Sequence, residues 1–184
     1  YSPYPYADGF SGVFLPEGEE GKWGQGQFIT HFQNNEGGLS GGFFQLKLYP
    51  TRYLGLDVNH LRLVENRFDN DERDYLNITN FNLVFNRVRM PRFHLYWGSG
   101  LMLLDGNTLY GSPSFTTGMD IFVKKPVSIH ADFQMGAPNN ALVLQSQVRA
   151  QVHLDRFFIS AGFSGLKAGD NFSGSWLLGS GIYF

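Results

Sequence analysis

The chain has 184 residues, which suits one domain, and a formal net charge of −2, which argues against a nucleic-acid partner, since that would favour a basic face. It has no Cys, which excludes disulfides, thiolate metal sites and a lipidated terminal cysteine. Charged residues make up 16% of the sequence where soluble domains carry about 25%, aromatics also reach 16%, and no apolar run is long enough for a membrane helix.

The first stretch, residues 1–22, has no alternation. It is rich in Tyr and Pro and reads as extended chain outside any ladder, following a removed signal peptide. Two uses are open to it. Tyr4, Tyr6 and Phe10 could be the displayed aromatics of a partner-docking arm, or Ser11-Gly-Val-Phe-Leu15 could form a short strand or a lumen plug.

From about residue 24 the chain becomes a series of period-2 segments separated by turn chemistry. The pattern predicts ten strands, over 24–33, 41–49, 53–63, 75–87, 92–104, 113–123, 127–137, 141–154, 157–166 and 174–184. Eight is the alternative, if the weakly patterned first strands lie outside the wall. Short connections at Pro50–Arg52, Val88–Pro91, Lys124–Pro126 and Asp155–Arg156 alternate with longer polar ones around 34–41, 63–74, 104–112 and 166–174; 137–141 is the short member of the second set. Strand lengths suit a tilted membrane strand, which needs about 9–11 residues. At Asn77-Ile-Thr-Asn80 the inward face is undecided.

The faces separate best in the second half. Phe93, Leu95, Trp97, Leu101 and Leu103 oppose His94, Tyr96, Gly98, Gly100 and Met102. Val127, Ile129, Ala131, Phe133 and Met135 oppose Ser128, His130, Asp132, Gln134 and Gly136. No Glu falls in a predicted strand, and the polar face is Gly, Ser, Thr, Asn and Gln with a few Asp, Arg and His. That composition suits a hydrogen-bonded interior, so the apolar face looks at lipid. Counting back from the turns pairs Leu154 with Phe157, Arg149 with Gly162, Asp120 with His130 and Gly118 with Asp132. Large beside small fills a narrow barrel, which predicts a plugged lumen.

The last strand, Trp176-Leu-Leu-Gly-Ser-Gly-Ile-Tyr-Phe184, alternates and finishes on an aromatic carboxylate. This ending resembles the closing strand of small bacterial outer-membrane barrels. Tyr49-Pro-Thr-Arg-Tyr-Leu-Gly-Leu56 and Val127-Ser-Ile-His-Ala-Asp132 look similar to barrels of the Bacteroidota type. The resemblance covers about residues 24–184. It implies an all-β, up-and-down transmembrane barrel (23–184) preceded by a periplasmic segment (1–22). It further implies both termini in the periplasm, and contact with outer-membrane lipid and lipopolysaccharide. Trp97, Trp176 and Phe184 would be interfacial aromatics.

The inward polar residues Lys47, Asp57, Asp120, His130, Asp132, Arg149 and His153 form the first candidate site. A salt-bridged packing network is the reading the composition favours, because two cations nearly balance three Asp. Asp120, Ser128 and His130 supply the residue types of a nucleophilic triad, which keeps a lipid-modifying enzyme open as an alternative, although the His-x-Ser of barrel lipases is missing. A narrow channel is the other alternative. Neither a metal site nor a cofactor is expected: the five His sit on different strands, and the acidic run Asp69–Asp74 lacks the Gly and closing Glu of a calcium loop. The function expected is that of a non-enzymatic subunit or scaffold in a larger membrane-protein assembly.

Overall fold

The structure, a computed structural model, describes all residues except 17, 36–37, 67–72 and 107. Ten strands follow in chain order: β1 (Gln25–Asn34), β2 (Leu39–Tyr49), β3 (Leu54–Asn66), β4 (Arg73–Arg89), β5 (Phe93–Asp105), β6 (Leu109–Lys124), β7 (Val127–Gly136), β8 (Val143–Leu154), β9 (Phe157–Ala168) and β10 (Asn171–Tyr183). Each runs antiparallel to the next. β1 pairs with β10 through Phe28↔Ile182 and its neighbours, so the sheet closes and the wall has ten strands rather than eight. Closure removes the exposed edges that a membrane would not tolerate.

The registers counted from the short turns hold: Asp120 faces His130, Gly118 faces Asp132, Arg149 faces Gly162 and Leu154 faces Phe157. Asp155 takes the left-handed conformation, with φ 55°, that this two-residue turn requires. The ambiguity in β4 resolves with Ile78 and Asn80 inward, both fully buried.

The other end of the barrel departs from expectation. β9 continues to Ala168 and β10 resumes at Asn171, so the polar loop expected at 166–174 is mostly ladder; likewise β5 and β6 leave only 106–108 between them. The reason is packing: Leu39, Leu76, Leu104, Leu166 and Ala168 turn inward onto a buried apolar cluster, which keeps the ladder going. β3 also reaches Glu65, so one Glu does lie on a strand. Of the acidic run, 69–72 lie outside the described residues.

Outward faces carry exposed apolar side chains all round, among them Phe32, Leu83, Val148, Ile159 and Leu178. The inside is layered. At the short-turn end Tyr49, Tyr96, Phe122, Phe158 and Tyr183 cluster with residues of the N-terminal segment. The middle is polar. Toward the opposite end lie Phe43, Leu61, Leu63, Ile78, Met102 and Val143.

The N-terminal segment folds back into the short-turn mouth. Lys22 N–H donates to the Tyr1 carbonyl (2.8 Å) and Ser2 N–H to that of Val13 (2.9 Å). Arg52 Nη2 holds the Leu15 carbonyl at 2.6 Å, and the Tyr6 hydroxyl donates to the Val127 carbonyl. Phe14 is 1% exposed and Tyr6 7%. Tyr4 packs on the same cluster, and Phe10 is half-buried. In this arrangement Tyr6 is not displayed, as a docking arm would require.

Candidate functional site: the polar lumen

Alternation on β2 to β8 aims one polar side chain after another at the barrel axis, and the chain links them across the lumen. His94 Nδ1 lies 2.9 Å from Asp120 Oδ2 and its Nε2 lies 3.0 Å from Asn86 Oδ1. Asp120 also meets His130 Nδ1, and His130 Nε2 lies 2.9 Å from Asp132 Oδ2. Arg149 stands 3.7 Å from the same Asp132 oxygen, donates to Gln147 at 3.0 Å and reaches Gln45 at 3.3 Å. Gln45 in turn donates to both Asp57 oxygens at 3.0 Å. Lys47 donates to the Tyr96 hydroxyl at 2.8 Å.

Six of the seven residues singled out from sequence therefore share one region. Lys47, Asp57, Arg149 and His130 are at most 2% exposed. Asp120 and Asp132 are linked through His130. His153 stands apart, nearer the short-turn end, with Nε2 2.7 Å from the Ser128 hydroxyl and rings of Tyr6, Phe158 and Tyr183 around it.

Charge pairing explains the arrangement. A carboxylate only accepts, and His130 has one beside each ring nitrogen, Asp120 at Nδ1 and Asp132 at Nε2. Lys47 and Arg149 stand in the same buried layer as Asp57, Asp120 and Asp132. Buried charges this well paired cost least.

The geometry does not form the triad that the residue types suggested. Ser128 bonds His153 and Gln151, whereas both nitrogens of His130 are engaged by aspartates. His153 Nδ1 has no partner among the described residues, so no acid orients it. Among the described residues no three His, Asp or Glu converge as metal ligands.

Sequence reading missed His94, Gln45 and Gln147 as members of the network. His94 was legible as inward, but its pairing with Asp120 depends on the β5–β6 register, which the uncertain loop between them left uncounted. His60 faces outward and bonds Thr79 (2.9 Å) on the neighbouring strand. The aromatics assigned to the membrane interface do face outward: Trp97 lies tilted against Phe85 (6.0 Å) and Trp176 edge-on to Phe163 (5.8 Å). The Phe184 ring lies over Gly26, where an added Cβ would come within 2.2 Å of it.

No protein-family model and no curated protein matches the chain. Solved structures do. An outer membrane channel of Pseudomonas putida F1 matches at 9% identity and a TM-score of 0.50, over 94% of this chain and 100% of that one. The N-terminal β-barrel domain of Pseudomonas aeruginosa OprF matches at 12% identity and TM-score 0.41, over 87% and 97%. Ail, the attachment invasion locus protein of Yersinia pestis, matches at 14% and 0.39, over 88% and 96%. The likeness is one of fold: with the P. putida structure the chain shares an outer-membrane barrel architecture. None of these structures extends the resemblance to Bacteroidota barrels.

Proposed function

We propose that the protein is an integral outer-membrane barrel, with both termini on the periplasmic side, that works through its surfaces as a structural or accessory subunit of a larger membrane assembly. The observation that carries this reading is the filled lumen. An aromatic layer sealed by residues of the N-terminal segment, a hydrogen-bonded polar layer and an apolar layer succeed one another along the axis. A conduit needs a continuous wet path, and a hydrolase needs a free nucleophile and base that substrate can reach. Here Ser128 is 1% exposed, and its histidine lies under Tyr6. What remains available is the outer wall, with its band of exposed apolar side chains, and the ends of the strands.

Cross-linking in intact cells followed by mild-detergent purification tests the reading. A discrete adduct with another envelope protein is expected, together with a silent trace when the folded barrel is placed in a planar bilayer. A lone barrel after cross-linking overturns the subunit role; reproducible conductance steps overturn the closed lumen.

A further inference from the structure

Four cations gather on one sector of the short-turn rim. Arg87 lies near the end of β4, Arg92 in the β4–β5 turn, and Lys124 and Lys125 at the β6–β7 turn; all four are exposed. β4 and β6 flank β5, so they stand about 10 Å apart across the strands. The two turns are tied side by side where Phe122 N–H donates to the Arg92 carbonyl at 3.0 Å. Among the described residues every ion pair lies in the lumen; Asp8 of the docked segment, also exposed, pairs with none of the four.

Two β-bulges set where the cations point. On β4 the register shifts between Asn86 and Val88. Arg87 continues the outward row of Phe81, Leu83 and Phe85, and Val88 pairs with outward Leu95, so Arg87 and Val88 leave the wall on the same side. On β6 the shift falls between Phe122 and Lys124. Without it Lys124 would follow Asp120 and Phe122 inward. With it Lys124 stands opposite Val127, which heads an outward row, and joins Val123 on the lipid side. Arg87 and Lys124 thus emerge sideways, each at the foot of an apolar row that faces hydrocarbon. That is the level of a leaflet's phosphates, and basic side chains there attract anionic lipid. An acidic protein docking on the turn tips would need cations aimed along the axis, not out of the wall.

We propose that this sector is a binding surface for anionic phospholipid, which enriches phosphatidylglycerol-type headgroups of the leaflet at the short-turn end beside Arg87, Arg92, Lys124 and Lys125. Each cation meets its own phosphate, and the preference is their sum. The proposal rests on the outer-membrane reading above but not on the subunit role, and it is tested on purified protein with no partner present.

Trp97 is a native reporter of this sector. It projects outward from β5, between β4 and β6, and is 48% exposed, whereas Trp176 projects outward from β10 on the opposite side of the ring. Two variants keep one of them each: Trp23→Phe with Trp176→Phe, and Trp23→Phe with Trp97→Phe. Both are placed in phosphatidylcholine bilayers, and quenching by brominated phosphatidylglycerol is compared with quenching by brominated phosphatidylcholine of the same chains. At Trp97 phosphatidylglycerol should be preferred about fivefold or more, the contribution of at least one cation beside the surface. At Trp176 the two lipids should quench alike. Adding Arg87→Gln, Arg92→Gln, Lys124→Gln and Lys125→Gln should bring Trp97 to parity, and so should salt at about 0.5 M. Equal quenching by the two lipids at Trp97, the same preference at both tryptophans, or a preference that survives the four substitutions would each overturn the proposal. If the fourfold variant fails to fold, the salt dependence decides. Failure of the membrane reading would show separately, as a Trp97 that neither brominated lipid quenches.

Discussion

Gly162 stands opposite Arg149 in the β8–β9 ladder, and a Cβ at Gly162 would lie 2.7 Å from the Arg149 Cα and 2.1 Å from the Val148 carbonyl oxygen. The close approach of backbone to backbone, not turn geometry, makes glycine necessary here. Gly162→Ala should therefore push β8 and β9 apart at the level of the polar layer. A loss of about 1–3 kcal/mol is expected, as for other overpacked interiors. The urea midpoint of the folded band in detergent, read by heat-modifiable gel mobility, checks it; a midpoint equal to wild type refutes the contact.

Arg149 is the largest fully buried side chain of the network, and its neighbours depend on it. Arg149→Met leaves the Asp132 carboxylate with His130 alone and frees the Gln45 and Gln147 oxygens. Breaking a buried pair from one side costs about 3–5 kcal/mol. Adding Asp132→Asn to Arg149→Met should recover part of that loss. The same unfolding measurement, run as a double-mutant cycle, gives the coupling; strictly additive effects would separate the two residues.

The N-terminal segment should come off without unfolding the wall. Phe14 is 1% exposed, with its ring centroid 5.1 Å from Tyr1 and 4.8 Å from His94. Phe14→Ala removes that anchor, with a cost to docking of about 3 kcal/mol. Lys22 then offers trypsin a cut that detaches residues 1–22. Limited proteolysis should show faster cleavage at Lys22 in the variant, with the barrel still heat-modifiable; equal rates would mean Phe14 does not hold the segment.

Docking of that segment should also weaken in alkali. Burial holds the phenols of Tyr1 and Tyr6 above their ordinary ionisation range, against smaller opposing effects of Arg52 on Tyr1 and Arg92 on Tyr6. Released, both phenols ionise near pH 10; docked, they stay protonated to higher pH. The stabilisation they contribute is therefore complete below about pH 10 and is lost as pH rises beyond it. Cleavage within residues 1–22 by subtilisin, which needs no charged side chain at the cut, should accelerate above that pH. Tyr6→Phe should blunt the acceleration, and it should loosen docking at neutral pH by about 1 kcal/mol through the lost bond to Val127. A pH-independent cleavage rate would contradict the buried placement.

Much of the wall was legible because period 2 is written directly in sequence. His130, Asp132, Gln145 and Arg149 alternate cleanly with Ile129, Ala131, Leu144 and Val148, and two short turns fixed their registers. The far rim was not legible, because Asn171, Ser173, Gly174 and Ser175 look like loop while pairing as ladder. Inward Leu61 and Leu63 likewise defeat a rule that reads every inward residue as polar. The bond from Arg149 to Gln45 joins strands far apart in the ring, and no local pattern encodes contacts across a lumen. The N-terminal fold-back has no periodicity at all; only its burial, seen in three dimensions, reveals where it lies.

That fold-back has a consequence for biogenesis. Its pocket is made by both ends of the chain at once: Tyr6 packs on Phe122 and His153, and the same cluster contains Phe158 and Tyr183 from the last two strands. Until the seam between first and last strand is joined, half of that pocket does not exist. Seating of the segment should then be complete only after the ring shuts, and its protection from protease should report that closure.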